Sequence, residues 1–423
     1  MNLVLQHSNI DKSKSSIKIT GSKSETNRLL LLQALYPNIE LKNISQSDDS
    51  NVMEEALRNS QLTAHNSQLI DVHHAGTAMR FLTAFFAIQE NREIVLTGSS
   101  RMKERPIKIL VEALKQLGAE ITYEENEGFP PIRIKGQKIT NNKVTLKADV
   151  SSQYISALLL IAPKLENGLE LTLEGEITSI PYIKMTLALL NEIGVETSFK
   201  NNVIKVNPQF TIHNSQFTIE SDWSSASYFY SIVALSEIGT QITLSSYKQN
   251  SIQGDSALAE IYKDFGVETV FNSNKSITIS KVNNCHSNDS EQAKQLSIIN
   301  CQLNNSPDIA QTIAVTCFGL GIACHLTGLH TLKIKETDRL EALKTELSKL
   351  GAIISVTNDT LTIEQSNNLI IESSIDTYQD HRMAMAFAPL ALKTALVINE
   401  AEVVSKSFPT FWEDLKSIGF KME

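Results

Sequence analysis

Gln116-Leu117-Gly118-Ala119-Glu120 closes an amphipathic helix on a glycine and passes into strand-like sequence. A glycine just past the last helical residue accepts the left-handed backbone that ends a helix. The same signature returns at Glu192-Ile193-Gly194-Val195-Glu196, Asp264-Phe265-Gly266-Val267-Glu268, Lys349-Leu350-Gly351-Ala352 and Ser417-Ile418-Gly419-Phe420. The first four copies are each followed by two short strand-like runs joined by a polar turn, as in Asn272-Ser273-Asn274 before Ser276-Ile277-Thr278-Ile279. A weaker copy without a clear glycine cap runs from Ser50 to Ile70, giving six helix-plus-hairpin units. Their spacing is too wide for a solenoid, so they read as α/β subdomains that share cores.

The sixth unit has a helix but no hairpin after it, while Leu3-Val4-Leu5 and Ile17-Lys18-Ile19 form a spare strand pair. The expectation is that residues 1–20 complete the last unit. Residues 1–20 and 220–423 then form a discontinuous terminal lobe, and residues 21–219 an inserted lobe, with three units in each. Two chain crossings suit a hinge, and the cleft between lobes is the expected active site. The stretch Asn283 to Ser290 reads as a surface loop.

The chain has 423 residues, 42% apolar, with 38 basic side chains against 47 acidic ones and a net charge of −9. That charge disfavours nucleic acid as a partner. No run of eighteen apolar residues is present, and Met1-Asn2-Leu3 opens no signal peptide, so a cytoplasmic protein with no membrane partner is expected. Cys285, Cys301, Cys317 and Cys324 lack Cys-x-x-Cys spacing and read as small hydrophobes in a reducing compartment. The nine histidines make no ligand cluster, so neither a metal nor a cofactor is expected.

Cationic side chains recur where apolar helices open. Gly21-Ser22-Lys23-Ser24-Glu25-Thr26-Asn27-Arg28 leads into four leucines, with Ser22 or Ser24 as the cap. Free N–H groups, hydroxyls and a lysine at a helix start make an anion site, although a capped, solvated helix explains the stretch equally well. Ala75-Gly76-Thr77-Ala78-Met79-Arg80 and Val150-Ser151-Ser152-Gln153 repeat the theme. Arg105-Pro106 is placed at a helix start, where a cation is unfavourable unless an anion accompanies it. Ser221-Asp222-Trp223-Ser224-Ser225 reads as plain capping. Asp308 opens an apolar helix as either a cap or a functional acid. Lys335 and Arg339 share a helical face, with Glu336 and Asp338 pointing elsewhere. Arg382 follows Asp380-His381, and Lys406 precedes Ser407-Phe408-Pro409. Taken together, Lys23, Arg28, Arg105, Lys335, Arg339, Arg382 and Lys406 suit small polyanions held without a metal.

The motifs at 21–28, 75–80, 101–107 (Arg-Met-Lys-Glu-Arg-Pro-Ile), 151–153, 335–339 (Lys-Glu-Thr-Asp-Arg) and 380–385 (Asp-His-Arg-Met-Ala-Met) resemble, in order, those of the 5-enolpyruvylshikimate-3-phosphate synthase family. The resemblance spans nearly the whole chain and implies the two-lobed enolpyruvyl transferase fold. It also implies a reaction in the shikimate pathway to aromatic amino acids. Phosphoenolpyruvate is joined to the 5-hydroxyl of shikimate 3-phosphate and phosphate is released. It places shikimate 3-phosphate contacts on Lys23, Ser24, Arg28, Ser151, Ser152, Gln153, Ser179, Asp308 and Lys335. Phosphoenolpyruvate contacts fall on Lys23, Gly76, Arg105, Gln153, Arg339, Arg382 and Lys406. Asp308 resembles the base for the hydroxyl proton, and Glu336 the acid that protonates the methylene carbon. A monomer with no cofactor is expected.

Three positions depart from the family pattern. His74 stands in place of Asn, Thr331 in place of Asn, and Phe81 in place of Pro. Gly76 and the Ser-Ser-Gln segment resemble the glyphosate-sensitive class. The sister enzyme that uses UDP-N-acetylglucosamine carries a reactive Cys on a basic loop of the inserted lobe, and here no Cys precedes Cys285. Gly319-Leu320-Gly321 lacks the third glycine of a dinucleotide loop.

Overall fold

The computed structural model describes residues 1–10, 15–62, 68–147, 151–175, 177, 180–212, 215–283, 298–366 and 373–423. Ser179, Cys285 and all but the first residue of the 283–290 stretch lie outside the described residues. The chain divides into two compact units, residues 1–20 with 220–423, and residues 21–219. No helix among the described residues is long and apolar enough to cross a membrane.

In the 21–219 unit, three helices are buried nearly all round: Lys23–Leu35, Gly76–Ala87 and Ser152–Ile161. Their sequences dictate this. Leu29 to Leu32 leaves no polar stripe, and in Gly76–Ala87 every residue except Thr77 is buried. A helix without a polar face is stable only inside a core. The outer helix Lys108–Leu117 differs, burying Leu110, Val111, Ala113, Leu114 and Leu117 and leaving charged residues outward. Three sheets surround the buried helices. Ile39–Lys42 runs parallel to Ser215–Thr218. Gln68–Asp71 runs parallel to Glu93–Thr97, which continues antiparallel into Ile132–Lys135 and Glu120–Tyr123. Lys143–Lys147, Leu169–Glu174, Val203–Val206 and Thr197–Lys200 repeat that order.

The other unit uses the same plan. Its buried helices are Trp223–Leu235, Ala310–Leu320 and His381–Phe387, within one continuous apolar core. Ser15–Ile17 and Gln241–Leu244 form a parallel pair, extended antiparallel by Ile277–Lys281 and Val267–Phe271. Ile299–Gln302, Cys324–Thr327, Leu361–Ile363 and Ile354–Val356 form the second such sheet. In the third, Ser373–Ile375 lies parallel to Leu396–Ile398, which pairs antiparallel with Leu3–Leu5. Hydroxyl pairs cross between buried helices. Ser227 meets Thr312 at 3.0 Å, and Thr316 donates to Ser231 at 2.8 Å.

The expected α/β repeat is therefore present. The five glycines at 118, 194, 266, 351 and 419 all have positive φ, between 71° and 109°. Two expectations fail locally. The helix Asp48–Leu62 is not followed by its own hairpin, since the next strand, Gln68–Asp71, joins the following sheet. Residues 1–20 do not form a hairpin that completes one unit. Leu3–Leu5 joins the last sheet, but Ser15–Ile17 extends a different one. Two three-residue strands paired only with each other are marginal, whereas each gains by extending an existing sheet. Gly319 is a packing residue, because a Cβ there would lie 2.8 Å from both Leu235 and Leu390.

Candidate functional site

The predicted residues that are described lie in both units. In the 21–219 unit Lys23, Gly76, Ser151, Ser152 and Gln153 are at helix starts. Lys23 is the first residue of its helix, with Nζ 3.3 Å from Asp49 Oδ2. Ser22 occupies the cap position, but its side chain makes no capping bond, contrary to expectation. The Ser24 carbonyl accepts from Arg28 Nη1 at 2.7 Å. Arg28 is 3% exposed; its Nε reaches Thr186 Oγ1 at 2.8 Å and its Nη2 reaches Ser156 Oγ at 3.0 Å. Burial pulls its pKa down to about 10.

Gly76 has a steric role. A Cβ at this position would lie 2.5 Å from Arg105 Nη1, so the guanidinium rests where a side chain would be. Arg80 lies behind it, buried, donating to the carbonyls of Gly76 and Pro106 at 3.1 Å each. Burial, then the charge of Arg105, brings Arg80 down to about 10. Gln153 Nε2 donates to Thr77 Oγ1 at 3.0 Å, which ties the helix starts at 76 and 152 together. The Ser151 hydroxyl caps its helix by accepting from Gln153 N, and Ser152 is buried. Arg105 is not at a helix start. A short helical turn, Ser100–Lys103, precedes it and the next helix begins at Lys108, because Pro106 and the Ile107 N–H bond to Gly128 O interrupt the run. The tension with a helix dipole expected there is absent.

In the other unit, cations converge on one acid. Asp308 is 8% exposed. Its Oδ1 accepts from Arg339 Nη1 at 2.9 Å and lies 3.5 Å from Lys335 Nζ, while Oδ2 lies 3.6 Å from Arg382 Nη2. Arg339 also reaches Asp380 at 2.6 Å through Nε and Glu336 at 2.8 Å through Nη2. Burial alone would lower the Arg339 guanidinium, but Asp380, Glu336 and Asp308 outweigh it and hold it above its ordinary value. Arg382 is likewise held up, chiefly by Asp308. Lys406 Nζ donates to Gln379 O at 2.8 Å.

This geometry corrects one sequence expectation. Lys335 and Glu336 precede the helix, which starts at Arg339 with Asp338 as its cap. Glu336 does not point elsewhere but pairs with Arg339. Asp308 is drawn to the cations, and its neighbour Ser306 holds the cap position of the short helical turn Pro307–Ile309. Sequence reasoning missed Asp49, Asp380 and Ser224 as partners of these cations. Asp380 shows only as an acid before a helix, and it does cap that helix, accepting from Arg382 N at 2.9 Å. Asp49 carries no local signal, since the chain between it and Lys23 must fold first. The arrangement puts a carboxylate, a candidate proton acceptor, beside three cations able to bind oxyanions.

The whole chain has the architecture of the enolpyruvyl transferases. It matches the EPSP synthase of Acinetobacter baumannii with a TM-score of 0.78 at 20% identity, covering 100% of this chain and 99% of that one. It matches the enolpyruvyl transferase NikO of Streptomyces tendae with a TM-score of 0.73 at 11% identity, covering 100% and 98%. At such identities the likeness defines the fold only. Sequence goes further. The family model for EPSP synthase (3-phosphoshikimate 1-carboxyvinyltransferase) matches residues 8–415. A 3-phosphoshikimate 1-carboxyvinyltransferase of Bacteroides fragilis is 45% identical over 416 residues, 96% of each chain. One of Shewanella pealeana is 34% identical, over 97% of this chain and 98% of that one. The chain belongs to the EPSP synthase family.

Proposed function

We propose that this protein carries out its family's reaction, transfer of the enolpyruvyl group of phosphoenolpyruvate to the 5-hydroxyl of shikimate 3-phosphate. The supporting observation is the nest of Lys335, Arg339 and Arg382 around Asp308. Asp308 takes the hydroxyl proton as the oxygen bonds to C2 of phosphoenolpyruvate, and Glu336 delivers a proton to the methylene carbon. The tetrahedral adduct then loses that carbon's proton and inorganic phosphate, restoring the double bond. Fixed cations stabilise the charge that collects on the phosphate oxygens as it leaves.

Arg105, Arg339, Arg382 and Lys406 hold phosphoenolpyruvate, with Gly76 leaving room for Arg105 and Gln153 adding an amide. Lys23 serves both substrates. Ser24, Arg28, Ser151, Ser152, Gln153, Ser179, Asp308 and Lys335 hold shikimate 3-phosphate. Arg28 contributes charge from a buried position, since its guanidinium is already bonded to Thr186, Ser156 and Ser24. The protein acts as a cytoplasmic monomer, which sedimentation at working concentration checks. The deciding assay measures phosphate release from phosphoenolpyruvate with each acceptor. Shikimate 3-phosphate is expected to support turnover. Turnover with UDP-N-acetylglucosamine but not with shikimate 3-phosphate would overturn the assignment.

A further inference from the structure

One buried acid near the Asp308 nest has no part in the scheme above. Asp255 sits in the helical turn Gly254–Ala257, 6% exposed. Its carboxylate accepts the hydroxyl hydrogen of Ser224. The Ser224 oxygen in turn accepts from Arg382 Nη2 at 3.3 Å, while Arg382 Nη1 donates to the Asp308 carbonyl at 3.2 Å. Ser224 is free for this because Asp222 caps the helix Trp223–Leu235, accepting from Ser225 N at 2.7 Å. The turn carrying Asp255 is pinned as well. Gln253 accepts from Trp223 N and donates to Ser221 O, both at 3.0 Å.

We infer that Asp255 is a positioning residue which, through the Ser224 hydroxyl, fixes the aim of the Arg382 guanidinium toward phosphoenolpyruvate. An arginine ends a chain of rotatable bonds, so its direction is set by what its donors meet. Here Nη1 is fixed by the Asp308 carbonyl and Nη2 by Ser224, with the Asp308 carboxylate 3.6 Å from Nη2. Ser224 keeps its lone pair turned to Arg382 only while its own hydrogen has an acceptor, and Asp255 is that acceptor. The charges facing Asp255 are Asp308, Arg382 and Asp222. Burial, with the charge of Asp308, pushes its carboxyl up to about 7 against the pull of Arg382. Its charge thus changes within the working range. When ionised it competes with the substrate's anion for Arg382, and when neutral it does not.

The inference rests on the proposed role of Arg382, so the experiment separates the two. KM and kcat are measured for D255L, D255N, S224A, the double variant D255L/S224A and R382A, with thermal melts on each. D255L and S224A are each expected to raise the KM for phosphoenolpyruvate about tenfold, the cost of one lost directed contact. Turnover should stay within about threefold and the KM for shikimate 3-phosphate should not move. The double variant should be no worse than D255L, because both changes break the same link. D255N keeps the acceptor and should restore the KM at pH 6.5, with a flatter rise than the parent between pH 6 and 8.5. If D255L does not fold, S224A and D255N carry the same test. A KM within about twofold of the parent in D255L or S224A, or effects that multiply in the double variant, overturns the relay. An unchanged KM in R382A overturns the role of Arg382 instead.

Discussion

Replacing Arg339 with leucine takes a cation from three carboxylates at once, leaving Asp308 its contacts with Lys335 and Arg382. The Arg339 side chain is 2% exposed, and those of Asp380 and Asp308 are 0% and 9% exposed. Stripping one partner from a buried ion pair costs roughly 3–5 kcal/mol, because the remaining charge is left unpaired in a poor solvent. Glu336, at 29% side-chain exposure, recovers part of its share from water and adds little. The expected loss at pH 8 is about 4 kcal/mol, most of it from Asp380.

Fluorescence isolates this loss, since both tryptophans, Trp223 and Trp412, are buried in the unit that holds Arg339. With a urea slope of roughly 3 kcal/mol per molar, the fluorescence midpoint should fall by more than 1 M. Arg339→Lys should recover only part of the loss, because an ammonium cannot span three acceptors held at fixed angles. A deficit below about 1 kcal/mol at pH 8 would refute this account.

Two further substitutions probe the 21–219 unit. Lys23→Met should lower turnover by roughly a hundredfold or more while leaving the circular dichroism spectrum and melting point intact, since it removes one preorganised cation; near-normal turnover would rule out the role of Lys23. Gly76→Ala should raise the KM for phosphoenolpyruvate roughly tenfold or more, because the added methyl must displace an arginine nitrogen 2.5 Å away; an unchanged KM would show that Arg105 holds no substrate from that position.

What the sequence made legible followed chain proximity. The glycines at 118, 194, 266, 351 and 419 announce helix ends because left-handed backbone is a local requirement, and each has the expected positive φ. The leucine run at 29–32 announces a buried helix for the same reason. The pairing of Leu3–Leu5 with Leu396–Ile398, and of Ser15–Ile17 with Gln241–Leu244, was not legible. Three-residue strands carry too little pattern to name a partner hundreds of positions away. The cations of the candidate site stood out as charges beside apolar helices, as did the acids Asp308 and Glu336, but Asp49 and Asp380 did not show as their partners. Glu336 changes from an acid pointing away from the cations to a partner of Arg339, because Lys335 and Glu336 precede the helix, which begins at Arg339. Asp255 shows no signature at all, because its meaning depends on Ser224 and Arg382, each far from it in sequence.

The strand Leu3–Leu5 has a consequence for synthesis. Its partner Leu396–Ile398 is made about 390 residues later, which at roughly 5–20 residues per second is a delay of roughly 20–80 s on the ribosome. Residues 21–219 emerge complete in the meantime and can settle independently. Leu3 and Leu5, which the finished fold buries, must wait uncovered in that interval.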